Sequence, residues 1–446
     1  MNNLKRKKGL CLILSAVISL SLFAGCGSEK VSTTSSESTE NSASSSVSKT
    51  ATGTDKLTIM HYLVEIGKLK ALDDTVAGFK KENPNVKVTV QGMSLDQYTN
   101  TLNMKVASND MPDIVFGNPK TYADVVKSGN ILDITNEAFT KNVMESALPC
   151  VMLDNKVYGI PMDLMLSGVI YNKDIFAKYN IQIPKTWDEF VTVMETLKKN
   201  GVTPVAAGYK DAASVGGSYW CQSFGGMLEQ IPTMRADIMS GAKKPSDYPL
   251  LKQFLSNWQT INTFTSKEAT SVGVDRSEQD FAAGKAAMII IGSWGVSSIR
   301  NYGPDGNFGA FLYPFFNDAS KNKMQFNTDD AWMIASKGAN LENAKKYFAY
   351  MTTPEAASTW ATDVPAVPAI NNAKAAKLDP IIDDMKATLD AGQGYNAMAE
   401  DAFAGQMATT WDNQMQAWCF TEPGASIDEF MKEFDAACAN AIATGK

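Results

Sequence analysis

The sequence predicts an α/β protein with two lobes, preceded by an N-terminal segment that is not part of the fold. Strand and helix patterns alternate from Asp55 onward, and β-α-β order favours parallel strands with right-handed crossovers. The stretch from Asp55 to Lys446 is also too long for one ordinary hydrophobic core. Two extended runs around Pro161 follow each other without a helix between them. This arrangement indicates a chain that passes from one sheet to another.

The first residues are typical of a targeting segment. The basic run Lys5–Lys8 precedes an apolar run, Gly9–Phe23, that is too short to span a bilayer comfortably. Small residues then lead to Cys26, the pattern that a lipoprotein signal peptidase requires. We therefore predict a signal peptide over residues 1–25 and a lipid anchor on Cys26. The alternative is an ordinary cleaved signal peptide with a chance cysteine.

Residues 26–54 follow as a segment dominated by Ser, Thr, Glu and Lys. Such a segment cannot bury enough apolar surface to offset the entropy of ordering it, so we predict a disordered tether. Fully extended, it would reach roughly 90 Å from the anchor, at about 3.3 Å per residue.

Composition excludes several classes of protein. A formal charge of -7 argues against binding to nucleic acid or to anionic lipid surfaces. The single histidine, His61, excludes a histidine-rich zinc site, and the cysteines form no metal-binding spacing. We therefore expect neither a metal nor a cofactor. Cys419 and Cys438 could pair, although small buried thiols are the favoured interpretation.

The first lobe opens with three predicted strands, Leu57–Tyr62, Val86–Val90 and Pro112–Phe116. Two helices, Leu69–Lys81 and Tyr98–Ala107, are predicted between them. In such sheets, ligands bind beyond the carboxyl ends of the strands. The residues directly after the first and third strands are therefore candidates for a binding site.

The stretch from Val157 to Trp187 contains the predicted passage between sheets. An extended run ends at Pro161, a second apolar run covers Gly168–Tyr171, and helical spacing begins at Lys173. Thr186, with Glu189 three residues on, predicts a capping box at the start of the next helix.

The remaining elements are predicted with the same rules. Gly216–Trp220 is expected to be a flexible, aromatic loop, and Phe281–Trp294 contains a helix end, a glycine and a buried strand. The other predicted strands are Pro204–Ala207, Asn307–Pro314 and Asp329–Ala335. The other predicted helices are Trp187–Asn200, Leu250–Ile261, Asn343–Met351, Asp379–Asp390, Tyr395–Phe420 and Ser426–Ala443.

Three motifs carry a resemblance to a known family. They are Y-G-I-P-M-D followed by I-Y-N-K-D and P-K-T-W-D-E-F within 158–190, F-A-A-G-K-A-A-M-I-I-I-G-S-W at 281–294, and D-D-A-W-M-I-A at 329–335. The chain resembles family 1 of the extracellular solute-binding proteins of carbohydrate ABC transporters, which includes maltose-binding protein. The resemblance covers nearly all of the chain after the tether, in matching order.

The resemblance implies a two-lobe periplasmic-binding-protein-like fold of type II, with three interlobe crossings and a central ligand cleft. Residues 55–167 and 331–370 would form the N-lobe, and residues 168–330 and 371–446 the C-lobe. The implied function is that of a monomeric receptor, not an enzyme, which captures a sugar and delivers it to ABC transporter permease subunits. The abundance of tryptophans favours an oligosaccharide. The receptor would be lipid-anchored at the outer face of the cytoplasmic membrane.

A sugar offers hydroxyls around its rim and apolar faces, so its site needs aromatic platforms and groups that hydrogen-bond in pairs. We expect such groups at strand ends and at the crossings. The expected ligand-binding residues are Glu65, Asn118, Tyr122, Asp163, Trp220, Trp294, Asp330, Trp332 and Trp411. Trp411 is included because its spacing from Ser426 resembles that of a sugar-stacking tryptophan in the family.

Other functions remain open at this point. Asp329 and Asp330 could be the acid pair of a glycoside hydrolase, but adjacent residues of a strand point to opposite faces. A binding protein for a polyamine or a peptide would use a similar set of side chains. A receptor that presents its ligand to a membrane sensor is a third possibility.

Overall fold

The computed structural model describes residues 55–63, 66–210, 212–328, 330–364, 366–374, 377–397, 403, 406–419 and 426–444. The predicted lipidation site, Cys26, lies outside these residues, as do Glu65 and Asp329. Within the described parts of the chain, no helix is both long enough and apolar enough to cross a bilayer.

Short strands are distributed along the whole described chain. They are β1 Lys56–His61, β2 Lys87–Gly92, β3 Ile114–Phe116, β4 Met152–Leu153, β5 Lys156–Val157, β6 Ile160–Pro161, β7 Asp163–Leu166, β8 Val169–Asn172, β9 Thr203–Ala206, β10 Ala286–Ile290, β11 Phe308–Phe311, β12 Met324–Asn327, β13 Ala331–Ile334, β14 Val367–Pro368 and β15 Gly394–Asn396.

Helices connect these strands and cover the sheets. They are α1 Ile66–Glu82, α2 Leu95–Ser108, α3 Ala123–Lys127, α4 Lys173–Lys178, α5 Trp187–Lys199, α6 Ala212–Gln230, α7 Met234–Met239, α8 Pro249–Asn262, α9 Val274–Ala282, α10 Val296–Tyr302, α11 Leu341–Met351, α12 Pro354–Asp363, α13 Pro380–Asp390, α14 Gln406–Cys419 and α15 Ile427–Thr444. Short 3-10 turns lie between them, one of them at Ser293–Gly295.

The first lobe is built on a five-stranded sheet with the order β2-β1-β3-β13-β6. The first three strands are parallel, as the β-α-β-α-β pattern predicts, and β13 joins β3 in the antiparallel direction. Helices α1 and α11 pack on this sheet, where the Phe79 and Tyr347 rings meet edge to face at 5.1 Å between centroids. Burial of such rings is a main source of stability for the lobe.

The second lobe is built on a four-stranded sheet with the order β11-β8-β10-β9. Strand β10 is parallel to β9 but antiparallel to β8, so the sheet is mixed. The capping box predicted for α5 is present, with the Thr186 side chain and the Glu189 side chain each accepting from the other's backbone amide. Helices α6, α8, α14 and α15 pack together in this lobe, and the Trp258 and Trp418 rings stack at 5.4 Å.

A third sheet, β14-β7-β12-β15, contains the three interlobe crossings. Strand β7 lies between β6 of the first sheet and β8 of the second, and β12 lies between β11 and β13. After β14 the chain enters α13, whose Asp384 carboxylate accepts from the Ala310 amide of β11 at 3.1 Å. The predicted two-lobe α/β fold with three crossings is therefore confirmed, whereas the exact residue boundaries of the lobes stay a prediction.

Two local predictions are wrong. Gly216–Trp220, expected to be a loop, lies inside α6, and Tyr395, expected to begin a helix, lies in β15. Packing explains the helix, because Gly225 of α6 sits so close to β12 that an added Cβ would lie 2.6 Å from the Lys323 carbonyl oxygen. Pairing with β12 likewise explains the strand at Tyr395.

The cysteines with described side chains are not cross-linked. Cys150 and Cys438 are free and buried, so Cys438 does not pair with Cys419. Burial raises the pKa of both thiols to about 12, which keeps them protonated and unreactive. The favoured interpretation of small buried residues is confirmed for these two positions.

Candidate functional site

A cavity of about 160 Å³ lies where the two lobes meet the crossing strands. The first lobe contributes residues at the start of α1 and the end of α12, and the second lobe contributes the turn before α10. Three of the predicted site residues line it together, namely Asp163, Trp294 and Asp330. The structure thus brings together side chains that are far apart in the sequence.

Asp163 and Asp330 lie side by side at the junction of a crossing strand and the first sheet. Both are almost fully buried, with 3% and 0% exposure. The Asp330 amide points to Asp163 Oδ1 at 3.3 Å, and the Met162 amide donates to the Asp330 carbonyl at 2.8 Å. Buried carboxylates in such a position are fixed in place and are strong hydrogen-bond acceptors.

Lys68 supplies a positive charge to the same cavity. Its Nζ lies 3.0 Å from Asp330 Oδ1, and its side chain is 14% exposed. The lysine belongs to the first turn of α1, directly after the loop that follows β1. A half-buried ammonium and two carboxylates give the cavity both donors and acceptors for ligand hydroxyls.

Trp294 is the exposed aromatic surface of the cavity. It is 37% exposed and lies in the turn Ser293–Gly295, between β10 and α10. Gly292 makes this ring position possible, because a Cβ at residue 292 would overlap the indole ring. The neighbouring Ser293 hydroxyl accepts from the Leu166 amide at 3.1 Å, which ties the turn to the crossing strand β7. Gly292 and Ser293 therefore set the position of the Trp294 ring at the cavity.

The rim of the cavity on the side of the first lobe is held by a close backbone approach. A Cβ at Gly67 would lie 2.5 Å from the Asp363 carbonyl oxygen, so only glycine fits there. Lys70 connects the same two helices, with its Nζ at 2.9 Å from Asp363 and 2.7 Å from Asp74.

A buried carboxyl lies behind the Trp294 turn. Glu278 of α9 is 5% exposed, and its Oε1 would lie 3.1 Å from a Cβ on Gly295. Burial raises its pKa to about 7, and the neighbouring Asp275 adds to this effect, whereas a hydrogen bond with Ser298 opposes it. The charge behind the turn therefore changes near neutral pH.

Asn118 and Tyr122 follow β3, as predicted, but they do not line this cavity. Asn118 is 7% exposed, and its amide donates to Asn327 Oδ1 of the crossing strand β12 at 3.2 Å. Tyr122 is half-buried against Tyr98, at 6.0 Å between ring centroids, and burial raises its pKa. Asn118 thus connects the first lobe to a crossing strand.

Trp332 and Trp411 were expected at the ligand, but the structure places both in hydrophobic cores, each with 1% exposure. Trp332 meets Phe116 edge to face at 4.8 Å inside the first lobe. Trp411 is enclosed in the second lobe, where its ring lies 4.9 Å from that of Phe434. Neither residue lines the cavity around Trp294.

Two further predicted residues cannot be placed at the cavity. Glu65 lies outside the described residues, although Ile66 and Lys68 beside it are described. The backbone of Trp220 lies in α6, and its side chain is outside the described part of the structure.

Sequence reasoning missed Lys68, Ser293 and Asp363 as residues of this cavity. Lys68 follows β1 in the same segment as Glu65, so the strand-end rule could have included it. Ser293 precedes Trp294 in a quoted motif. Asp363 ends α12 and had no comparable signal, since its approach to Gly67 depends on tertiary packing.

Comparison with known proteins agrees with this architecture. The model of the family described as bacterial extracellular solute-binding protein matches residues 65–358. The multiple sugar-binding protein of Streptococcus mutans is 26% identical over 309 residues, which cover 68% of this chain and 72% of that protein. The galactooligosaccharide-binding protein of Bacillus subtilis is 24% identical over 377 residues, which cover 82% and 81% of the two chains.

Solved structures share the fold. The apo form of RafE from Streptococcus pneumoniae superposes with a TM-score of 0.73 at 21% identity, covering 86% of this chain and 98% of RafE. RafE in complex with raffinose gives a TM-score of 0.70 at 22% identity, covering 86% and 100%. With the two lobes, the three crossings and the matched family model, the chain belongs to the bacterial extracellular solute-binding protein family.

Proposed function

We propose that the protein is the substrate-binding receptor of an ABC importer and that it captures an oligosaccharide between its lobes. The observation that carries this proposal is the interlobe cavity, where the exposed ring of Trp294 lies near the buried carboxylates of Asp163 and Asp330. An aromatic face can stack on the apolar side of a sugar ring, while carboxylates accept from pairs of neighbouring hydroxyls.

The names of related proteins support a sugar as the ligand. Relatives from two bacteria are described as binding multiple sugars and galactooligosaccharides, and RafE was solved with raffinose. RafE shares its fold with this chain, and the Asp163 and Trp294 pair gives a sugar ligand a physical basis here.

Closure of the two lobes is the proposed mechanism of capture. A sugar that touches Trp294 of the second lobe and Lys68 of the first makes its full set of contacts only when the lobes are together. Such a ligand favours the closed form by the free energy of those additional contacts. The closed complex would then present the substrate to the permease subunits, each lobe contacting one of them.

The proposed location is based on the sequence of residues 1–54. A lipid on Cys26 and a Ser/Thr-rich tether would hold a monomeric receptor at the outer face of the cytoplasmic membrane. This position would let the folded part move between solvent and the permease.

We propose a binding role without catalysis. Asp330 is engaged by the Lys68 ammonium at 3.0 Å and is fully buried, so it is not placed as a free acid or nucleophile. Paired carboxyls of a glycoside hydrolase must both reach the scissile bond.

A thermal-shift screen of the protein tests the proposal. The ligands are mono-, di- and oligosaccharides, polyamines and short peptides. A ligand that binds only the folded state raises the unfolding midpoint in a saturable manner. We expect such a shift with an oligosaccharide series. Shifts with polyamines or peptides alone would contradict a sugar ligand, and release of product from an aryl glycoside would contradict a role without catalysis.

A further inference from the structure

Glu278 is a buried acid that lies behind the turn carrying Trp294. It belongs to α9 and is 5% exposed, whereas carboxyl groups ordinarily stay at the surface because burial penalises their charged form. Helices α9 and α10 pack against each other, and the turn Ser293–Gly295 leads directly into α10. The carboxyl therefore belongs to the interior of the second lobe and lies on the inner side of the cavity wall.

The carboxyl contacts the turn directly. A Cβ added at Gly295 would lie 3.1 Å from Glu278 Oε1, so the carboxyl packs against the residue that follows Trp294. It also forms a hydrogen bond with Ser298 of α10. The same glycine packs against Ile291, whose Cδ1 would lie 2.6 Å from the added Cβ. The turn thus rests on one carboxyl and one aliphatic side chain, and a change at the carboxyl is next to the ring that lines the cavity.

Asp275 is the charged neighbour that acts on Glu278. Burial is the main cause that raises the pKa of Glu278 to about 7, and the Asp275 charge adds to it, while Ser298 opposes it. Asp275 itself accepts from the Tyr302 hydroxyl of α10 at 2.5 Å. Strands β9 and β10, which also pack on α9, consist of uncharged residues. The other charged groups of α9, α10 and the turn before β10 are Arg276 and Lys285, both paired with Asp280, and Arg300, paired with Asp379.

A ligand on the Trp294 ring would make ionisation of Glu278 less favourable. A sugar that stacks on this ring, with the opposite lobe closed over it, would remove water from the turn. The ionised carboxyl needs that hydration more than the neutral one does, because a charge without water is costly to bury. The ligand-bound protein therefore favours the protonated carboxyl, and by linkage the protonated carboxyl favours the ligand-bound protein.

We propose that Glu278 is a positioning residue for the Trp294 turn and that its protonation strengthens ligand binding. The inference rests on the proposed function and adds to it a dependence of ligand affinity on pH. The neutral carboxyl fits the buried space behind Gly295 and holds the ring in place at the cavity. The ionised carboxyl draws water toward the turn and loosens that position.

The test compares the wild type with Glu278→Gln, which has the shape of the protonated carboxyl and does not titrate. The probe is the one of maltotriose, cellotriose, xylotriose and melezitose that gives the largest thermal shift. In calorimetric titrations, we expect the wild-type affinity to fall about three- to tenfold as the pH rises through about 7. Glu278→Gln should keep the affinity that the wild type has at low pH throughout this range.

Proton uptake is a second readout. Titrations at one pH in phosphate and in Tris, two buffers with different ionisation enthalpies, measure the protons that binding takes up. We expect uptake of a fraction of one proton by the wild type and none by Glu278→Gln. Asp280→Asn is the matched control, because it removes another carboxyl of the same helix, and it should keep the wild-type pH dependence. The carboxylates of the cavity are present in all of these proteins, so the differences isolate Glu278.

A third readout needs no ligand. The part of the tryptophan emission that is lost in Trp294→Phe reports on this ring alone. It should change with pH in the protein that carries Glu278 and stay constant in Glu278→Gln.

The outcomes separate this inference from the proposed function. If the wild type and Glu278→Gln show the same pH dependence of affinity, the inference is overturned and the receptor function stands. The same holds if the Trp294 emission responds to pH equally in both proteins, since the carboxyl would then not position the ring. No binding of any sugar would contradict both proposals.

Discussion

At the scale of single residues, the character of the cavity depends on how exposed a few side chains are and on what holds them in place. Trp294 offers a ring face because Gly292 has no side chain and because Ser293 anchors the turn to β7. Asp163 and Asp330 are instead buried and fixed by backbone groups. Under the proposed function, the ligand would therefore meet groups whose positions are set before binding.

Removal of the Trp294 ring should weaken sugar binding. We expect Trp294→Ala to lose roughly 1–3 kcal/mol of binding free energy in a calorimetric titration, since the stacked ring area is lost. The unfolding midpoint should change little, because the side chain is 37% exposed. Trp294→Phe keeps a ring and should recover part of the loss. Equal affinities of the wild type and Trp294→Ala would remove this residue from the site.

Glu278 should make stability depend on pH. Its pKa is about 7 in the folded chain and 4.5 in the unfolded chain, so between these values only the folded chain keeps the proton. Stability from this group is therefore present below about pH 4.5 and is lost as the pH rises to about 7. The full loss is on the order of 3 kcal/mol.

Glu278→Gln carries no titrating carboxyl and should reduce this loss. We expect the decrease in unfolding free energy between about pH 5 and pH 8 to be smaller in the variant than in the wild type. Urea unfolding at several pH values measures it. Parallel curves for the two proteins would show that Glu278 titrates normally.

At the scale of elements, the sequence predicts most strands and helices but not the ones that depend on contacts with distant segments. The capping box at Thr186 and Glu189 is local, so residue types alone identify it. Helix α6 contains Gly216 and Gly217, which individually disfavour a helix, yet Gly225 allows close packing on β12. That packing cannot be read from local propensity.

The same reason explains which site residues could be predicted. Asp163 follows the predicted extended run that ends at Pro161, and Trp294 follows the predicted strand within 281–294, so both lie near strand ends, where such folds bind ligands. The sequence positions of Trp332 and Trp411 suggest a binding site equally well. The direction in which each ring packs, however, depends on neighbours such as Phe116 and Phe434. Spacing alone does not contain that information.

Gly225→Ala tests the packing of α6 against the crossing sheet. An alanine ordinarily stabilises the interior of a helix by about 1 kcal/mol relative to glycine. Here the added Cβ would lie 2.6 Å from the Lys323 carbonyl oxygen and 2.8 Å from the Gln325 amide nitrogen. We therefore expect destabilisation by roughly 1–3 kcal/mol in urea unfolding. A stabilised variant would contradict the close contact between α6 and β12.

At the scale of the whole molecule, the three crossings couple the positions of the two lobes. Strands β7, β12 and β14 form one sheet, so a relative motion of the lobes must deform this sheet or the segments that flank it. A ligand that contacts both lobes can then favour a hinge closure. The Asn118–Asn327 hydrogen bond is one contact that such a motion would change.

The proposed anchor would determine where the proposed motion takes place. We expect Cys26→Ala to release the protein from the membrane fraction, since the predicted site of lipid attachment is lost. Cys11→Ala changes a cysteine within the predicted signal peptide and should leave the membrane association unchanged. Fractionation of cells that express each variant measures the effect. Continued membrane association of Cys26→Ala would overturn the lipoprotein assignment.

The most direct test of the account is a crystal structure of the protein with the oligosaccharide that gives the largest thermal shift. We expect one sugar between the lobes, with a ring against the Trp294 indole and hydroxyls within hydrogen-bond distance of Asp163. A sugar bound outside the interlobe region, or an occupied cleft in which Trp294 and Asp163 make no contact with it, would contradict the central claim.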